Sequence, residues 1–125
     1  MIVLDTHCWI WFQSGDSRLT PSIASRIGRD SILSVATIWE TLLLVEKGRI
    51  RTGLPPEQTV RKWLAESPMR VIPIDTEIAI LSRTLPFEHE DPADRYIAAT
   101  AIANGSALAT LDSRLLKLSW LKTIS

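Results

Sequence analysis

The sequence contains a single cysteine, Cys8, among its 125 residues. That excludes an internal disulfide and a thiolate zinc site, and it suits a reducing, cytoplasmic setting. Cys8 itself reads as a small buried hydrophobe. Net charge is also missing, because 14 basic residues balance 14 acidic ones. Overall charge therefore announces no polyanionic partner, and any contact with nucleic acid must come from a local patch. No apolar run is long enough to span a bilayer, and Met1-Ile2-Val3-Leu4-Asp5 meets an acid with no basic segment ahead of it, unlike a signal peptide. Repeats, low-complexity tracts and linkers are absent. So are a Ser/His/Asp order, a phosphate-cradling glycine loop and a cysteine nucleophile at workable spacing.

What is present is a globular composition, 46% hydrophobic and 22% charged, sized for one domain over residues 1–125. Five tryptophans, Trp9, Trp11, Trp39, Trp63 and Trp120, are many for this length. Some are expected at a partner surface, where tryptophan is enriched.

Apolar runs alternate with helical segments along the chain. Ile2-Val3-Leu4 reads as a strand buried on both faces, followed by a helix from His7 to Phe12 that ends near Gly15. Thr20-Pro21 opens a second helix through about Ile27, and Ile32–Val35 reads as the next strand. The segment from about Ala36 to Lys47 is a helix stopped by Gly48, and Glu57–Glu66 another, packed through Val60, Trp63 and Leu64. Val71–Ile74 is a strand whose Pro73 places it at an edge, and Asp75 caps a helix reaching about Leu85. Asp91-Pro92 is an N-cap and first helical residue, Gly105 the stop, and Ala107–Leu111 a strand followed by a short helix and a polar tail. This alternation predicts an α/β fold with a mainly parallel sheet.

Four acids stand out against this frame. Asp5 and Asp112 close two buried strands, and Glu40 lies in a helix that is apolar nearly all round. Asp94 shares a helix face with Ile97, Ala98, Ala101 and Ile102, which turns a carboxylate inward. Right-handed crossovers bring the carboxyl ends of parallel strands and the starts of the following helices to one edge of the sheet, so the acids can converge there. Carboxylates in one cleft repel each other, and a hard divalent cation such as Mg²⁺ or Mn²⁺ resolves the repulsion with chemistry suited to phosphodiester hydrolysis. Local roles stand beside this one. Asp91, Asp94 and Asp112 can each serve helix caps, and Arg95 can pair with Asp91 or hold a carboxylate or phosphate. Thr6 and Thr110 can end strands or hydrogen-bond a ligand, and the isolated His7 and His89 read as structural.

At these positions the chain resembles PIN-domain ribonucleases of the VapC toxin type. The likeness covers nearly the whole length and rests on Leu4-Asp5-Thr6-His7, Ser34 with Trp39-Glu40, Lys47-Gly48-Arg49-Ile50, Leu85-Pro86 with His89 to Arg95, and Ala109-Thr110-Leu111-Asp112. It implies a three-layer α/β/α sandwich, usually dimeric, with an antitoxin as partner. It also implies that Asp5, Glu40, Asp94 and Asp112 bind Mg²⁺ or Mn²⁺, with Asp91 accessory and the Thr110 hydroxyl beside the site. Leu44 stands where relatives often carry lysine, and Glu90 where they often carry a basic residue.

The expected activity is metal-dependent endoribonuclease cleavage of single-stranded or looped RNA by the toxin of a toxin-antitoxin pair. Lys47, Arg49 and Arg51 are candidate phosphate contacts. The apolar helix around Leu42 to Val45 and the tryptophans are candidates for a dimer or antitoxin surface. Two rivals remain: an aspartyl-phosphate phosphatase built on Asp5, disfavoured because His7 stands where a partner acid is expected, and a non-catalytic metal-binding interaction module.

Overall fold

Every side chain of the first strand, β1 (Ile2–Leu4), is buried. Three apolar residues with no polar alternation must be covered on both faces, so the chain has to supply two layers of helix. The computed structural model describes residues 1–125 and shows that arrangement. After β1 come the helices α1 (Thr6–Ser14) and α2 (Pro21–Ala24), then β2 (Ile32–Ser34), α3 (Val35–Glu46), α4 (Pro56–Glu66) and β3 (Arg70–Ile72). The second half runs α5 (Thr76–Thr84), α6 (Pro92–Ala103), β4 (Ala107–Ala109), α7 (Ser113–Leu116) and β5 (Thr123–Ile124).

The strands form one parallel sheet in the order β3-β2-β1-β4-β5, with Val3 opposite Ile32 on one side and Leu108 on the other. Alternation along the strands sorts the core into two layers. Val3, Ile32 and Leu108 pack with Ala93, Ile97, Ala98 and Ala101 of α6 and Leu115 of α7. On the opposite face Ile2, Leu4, Leu33 and Ala109 pack with Cys8, Trp9 and Ile10 of α1, Ile23 of α2 and Trp63 of α4. Each large side chain so buried contributes roughly 1.5–3 kcal/mol. The expected three-layer α/β/α sandwich is what forms.

The strand order reverses beside β1. The chain first works outward through β2 to β3, then crosses back over α5 and α6 to place β4 on the far side of β1. Carboxyl ends of neighbouring strands at such a reversal flank the crevice in which open parallel sheets bind ligands.

Three expectations need correction. The stretch read as a polar tail ends in β5, held to β4 by bonds from Leu108 N to Lys122 O (2.8 Å) and from Thr110 N to Ile124 O (3.0 Å). A two-residue strand is too short for hydrophobic periodicity to reveal it. The second helix stops at Ala24 rather than near Ile27, because the Arg26 amide bonds back to Ile23 O and the chain turns. The strand expected to extend to Leu111 ends at Ala109. β3 does lie at the sheet edge, with Pro73 just beyond it. Gly105 terminates α6 with a positive φ of 60°, a left-handed turn that a side chain would strain. No helix is long and apolar enough to cross a membrane.

Candidate active site

Asp5 follows β1 and belongs half to the sheet, since its amide still donates to Ala109 O at 2.9 Å. The chain then turns into α1, and Asp5 caps it by accepting from Thr6 N at 2.8 Å through Oδ1. Oδ2 accepts from the Thr110 hydroxyl at 2.6 Å. With Asp5 6% exposed, burial pushes its pKa up, opposed by these bonds from Thr110 and Thr6.

β2 runs into α3 without a loop. Ser34 ends the strand and caps the helix, its hydroxyl accepting from Ala36 N at 3.0 Å. This junction aims α3 at the same edge, where Glu40 stands half-buried. Burial raises the Glu40 pKa, a hydrogen bond from Thr6 lowers it, and the charges of Asp91 and Asp5 raise it further. Thr6, fully buried, lies between the two acids and also reaches the Thr37 hydroxyl at 3.4 Å.

Asp91 caps α6 by accepting from Asp94 N at 3.2 Å, with Pro92 in the first turn. Asp94 is thereby turned inward, 5% exposed, with Oδ2 3.0 Å from His89 Nε2 and 3.1 Å from Arg114 Nη2. Burial is the largest influence on it, followed by the charges of Asp5, Asp91, Asp112 and Glu40, and together they push its pKa up to about 8. Asp112 caps α7, and its amide donates to the Thr110 hydroxyl oxygen at 3.0 Å. Burial pushes the Asp112 carboxyl upward, but bonds from the Arg114 side chain and amide outweigh it and hold the pKa below its ordinary value. Thr110 thus ties two acids together, donating to one and accepting from the backbone of the other.

Asp5, Glu40, Asp91, Asp94 and Asp112 line one cleft of about 240 Å³, with His7, Cys8, Trp11, Leu111 and Arg114 completing its wall. No three His, Cys, Asp or Glu side chains form a ready-made ligand set for a metal ion. Instead Arg114 Nη2 bridges Asp94 and Asp112 at 3.1 Å to each. Cys8 offers no reactive thiolate, since burial and then the Asp5 charge push its pKa up to about 12.

Sequence reasoning missed Arg114 as a member of this cleft, and His89, read as isolated and structural, has Asp94 as its partner at 3.0 Å. Arg95 does not pair with Asp91, whose side chain caps the helix instead. The guanidinium turns away, donating from Nε to Ser82 O at 2.8 Å and from Nη1 to His89 O at 3.0 Å, with Glu90 at 3.6 Å and the Phe87 ring at 4.7 Å. Lys47 is exposed at the end of α3 and lies outside the cleft. Arg49 and Arg51 line an adjoining groove. Leu44 packs against the second core layer, and Glu90 is bound by Arg83 at 3.1 Å. Among the tryptophans Trp9 and Trp63 are buried, whereas Trp39 is 56% exposed. Leu42 to Val45 are half-buried rather than free.

The sequence profile of the PIN domain matches residues 2–121. Ribonuclease VapC22 of Mycobacterium tuberculosis is 34% identical to this chain over 119 residues, 91% of this chain and 88% of the relative. Among solved structures, a toxin-antitoxin complex from Klebsiella pneumoniae contains a chain of TM-score 0.73 at 21% identity, covering 100% of this chain and 97% of that one. FitAcB from Neisseria gonorrhoeae gives a TM-score of 0.66 at 25% identity, again covering 100% and 97%. The profile match begins ahead of Asp5 and ends beyond Asp112, so it takes in every acid of the cleft, and the chain belongs to the PIN domain family.

Proposed function

We propose that this chain is a metal-dependent endoribonuclease acting as the toxin of a toxin-antitoxin pair. The observation that carries the reading is the convergence of four acids, contributed from the first strand to the last helix, on one cleft at the switch point of the sheet. Its electrostatic signature is Asp94, whose pKa is pushed up to about 8 by burial first and then by the charges of Asp5, Asp91, Asp112 and Glu40. The name of the relative VapC22 as a ribonuclease supports the activity, and the toxin-antitoxin complex among the structural neighbours supports the biological setting.

The donor set fits a hard divalent cation. All four candidate ligands, Asp5, Glu40, Asp94 and Asp112, offer carboxylate oxygens, the chemistry that Mg²⁺ and Mn²⁺ prefer, and their repulsion is what such an ion relieves. When bound, the ion supplies positive charge at the phosphoryl oxygens and acidity to water. Thr110 fixes the Asp5 carboxylate and the backbone of Asp112, so two candidate ligands that follow different strands would keep one geometry. Glu40 and Asp94 line the cleft beside Asp5, and as carboxylates either would be placed to take a proton from an attacking water. Arg114, held at 3.1 Å from both Asp94 and Asp112, would place a guanidinium at the mouth of the cleft where a phosphate could be met.

An antitoxin that covers this cleft would silence the enzyme by excluding RNA. The exposed face around Trp39, lined by Val35, Ala36, Ile74, Pro92, Ala93 and Tyr96, is apolar and suits a second protein chain, either the antitoxin or another copy. A phosphatase built on Asp5 fits less well, because His7 stands where its partner acid would be expected. The deciding experiment incubates the purified chain, free of partner, with single-stranded RNA in EDTA, Mg²⁺ or Mn²⁺. Cleavage that requires the ion and is lost in Asp94→Asn is expected. Absence of ion-dependent cleavage, or cleavage unchanged by Asp94→Asn, would sink the nuclease reading.

A further inference from the structure

A groove of about 380 Å³ runs from the acidic cleft and shares His7 and Trp11 with it. Its lining also carries Arg18, Arg49 and Arg51. We propose that this groove holds the single-stranded RNA flanking the scissile phosphate, its bases against the His7 and Trp11 rings and its phosphates on Arg49 and Arg51. The proposal rests on the nuclease reading above and adds to it the track by which substrate enters.

The groove divides its work by chemistry. His7 and Trp11, which line both the groove and the cleft, lie with ring centroids 5.8 Å apart and planes inclined at 51°. Arg18 stands 5.1 Å from the Trp11 ring and is held there by Asp16, at 2.7 Å from Nη2 and 3.1 Å from Nε. Its charge is therefore already balanced, and its role is to brace the indole. Arg49 and Arg51 differ. Both are exposed, both follow the left-handed turn at Gly48, and neither joins any ion pair of the chain. In a chain of zero net charge, two unpaired arginines beside two aromatic rings and next to an acidic cleft form a local patch for a polyanion with flat bases. An acidic peptide would satisfy the arginines but leave the ring faces without a partner.

The test measures binding of a short fluorescein-labelled single-stranded oligoribonucleotide by anisotropy, in EDTA, across a salt series. The parent protein is compared with Arg49→Ala/Arg51→Ala and with Trp11→Leu. The double arginine variant changes only exposed positions and should weaken binding at least about tenfold, lowering the slope of log affinity against log salt by about 1.4, as two lost phosphate contacts require. Trp11→Leu should weaken binding about tenfold with the salt slope unchanged, because stacking releases no counterions. Variants that bind within about twofold of the parent, or a double variant with an unaltered salt slope, overturn the groove as the RNA track. So does a poly-glutamate peptide that outcompetes the RNA for it. Cleavage by the parent in Mn²⁺ separates the two levels. If the parent cleaves and the variants bind normally, the groove fails and the nuclease stands. If the parent neither binds nor cleaves RNA, both fail.

Discussion

The Thr110 hydroxyl donates to Asp5 Oδ2 at 2.6 Å, joining residues 105 apart in sequence at the carboxyl ends of two adjacent strands. Both groups are buried, so neither finds water in place of the other. Thr110→Val keeps the shape and removes the donor, leaving Asp5 short of a partner. We expect a loss of roughly 1–3 kcal/mol of stability in urea unfolding, with cleavage slowed, whereas Thr110→Ser retains most of both. Equal stability of the valine and serine variants would mean that the bond contributes little.

Asp94 sets the pH response of the metal-free protein. Its pKa rises from an ordinary 3.8 to about 8 on folding, so the fold favours the protonated form. Between about pH 4 and pH 8 the unfolded chain has released this proton while the folded chain keeps it, and stability falls as pH rises through that window. Burial raises Asp5 and Glu40 as well, which acts in the same direction. In EDTA, Tm should decline from pH 5 to pH 8 for the parent and decline less for Asp94→Asn. Cleavage by that variant should fall at least roughly a hundredfold, the scale of losing several kcal/mol of charge stabilisation. A stabilised but inactive protein at pH 8 is thus the expected outcome, and a destabilised one contradicts the electrostatic account.

Adding Mg²⁺ or Mn²⁺ should raise Tm, more at pH 8 than at pH 5, since binding requires deprotonated carboxylates. EDTA should reverse the rise. Calorimetry at the two pH values checks this directly, and an ion-independent Tm at pH 8 would remove the acids as ligands.

Arg114 Nη2 is the internal cation of the cleft, bonded to Asp94 and Asp112. Arg114→Gln should lower the Tm of the ion-free protein at pH 8, because the acids lose their counter-charge, and should enlarge the rise produced by Mn²⁺, because nothing competes for the carboxylates. A smaller Mn²⁺ response than the parent's would show that the arginine assists ion binding instead.

Arg95 is 7% exposed and holds the backbone carbonyls of Ser82 and His89, which fixes the segment that brings His89 to Asp94. Arg95→Ala should cost about 2 kcal/mol, since hydrogen bonds to a charged group are lost and two carbonyls lose their partner. Denaturant unfolding measures it, and a change within error of zero would make the guanidinium dispensable.

Much of this architecture is legible in the sequence, and the reasons differ by residue. Asp5 and Glu40 stand out because apolar neighbours leave them no local partner, and Asp94 because helical spacing turns it inward next to an Asp-Pro cap. β1 is visible from three apolar residues in succession. Arg114 is not, because an arginine two residues after an acid on a four-residue helix looks like any solvated pair. Arg95 misleads for the opposite reason: its i,i+4 spacing from Asp91 suggests a surface pair, while the Ser82 and His89 carbonyls offer it a buried place that no local pattern records. β5 is hidden by its length alone.

The order of the strands bears on how the protein is made. Asp5 emerges from the ribosome early and Asp112 late, and the strand that holds Thr110 from its outer side runs through Ile124. A nascent chain interrupted before Asp112 has part of the sheet but not the full set of carboxylates, so the acidic cleft is complete only when synthesis is nearly finished.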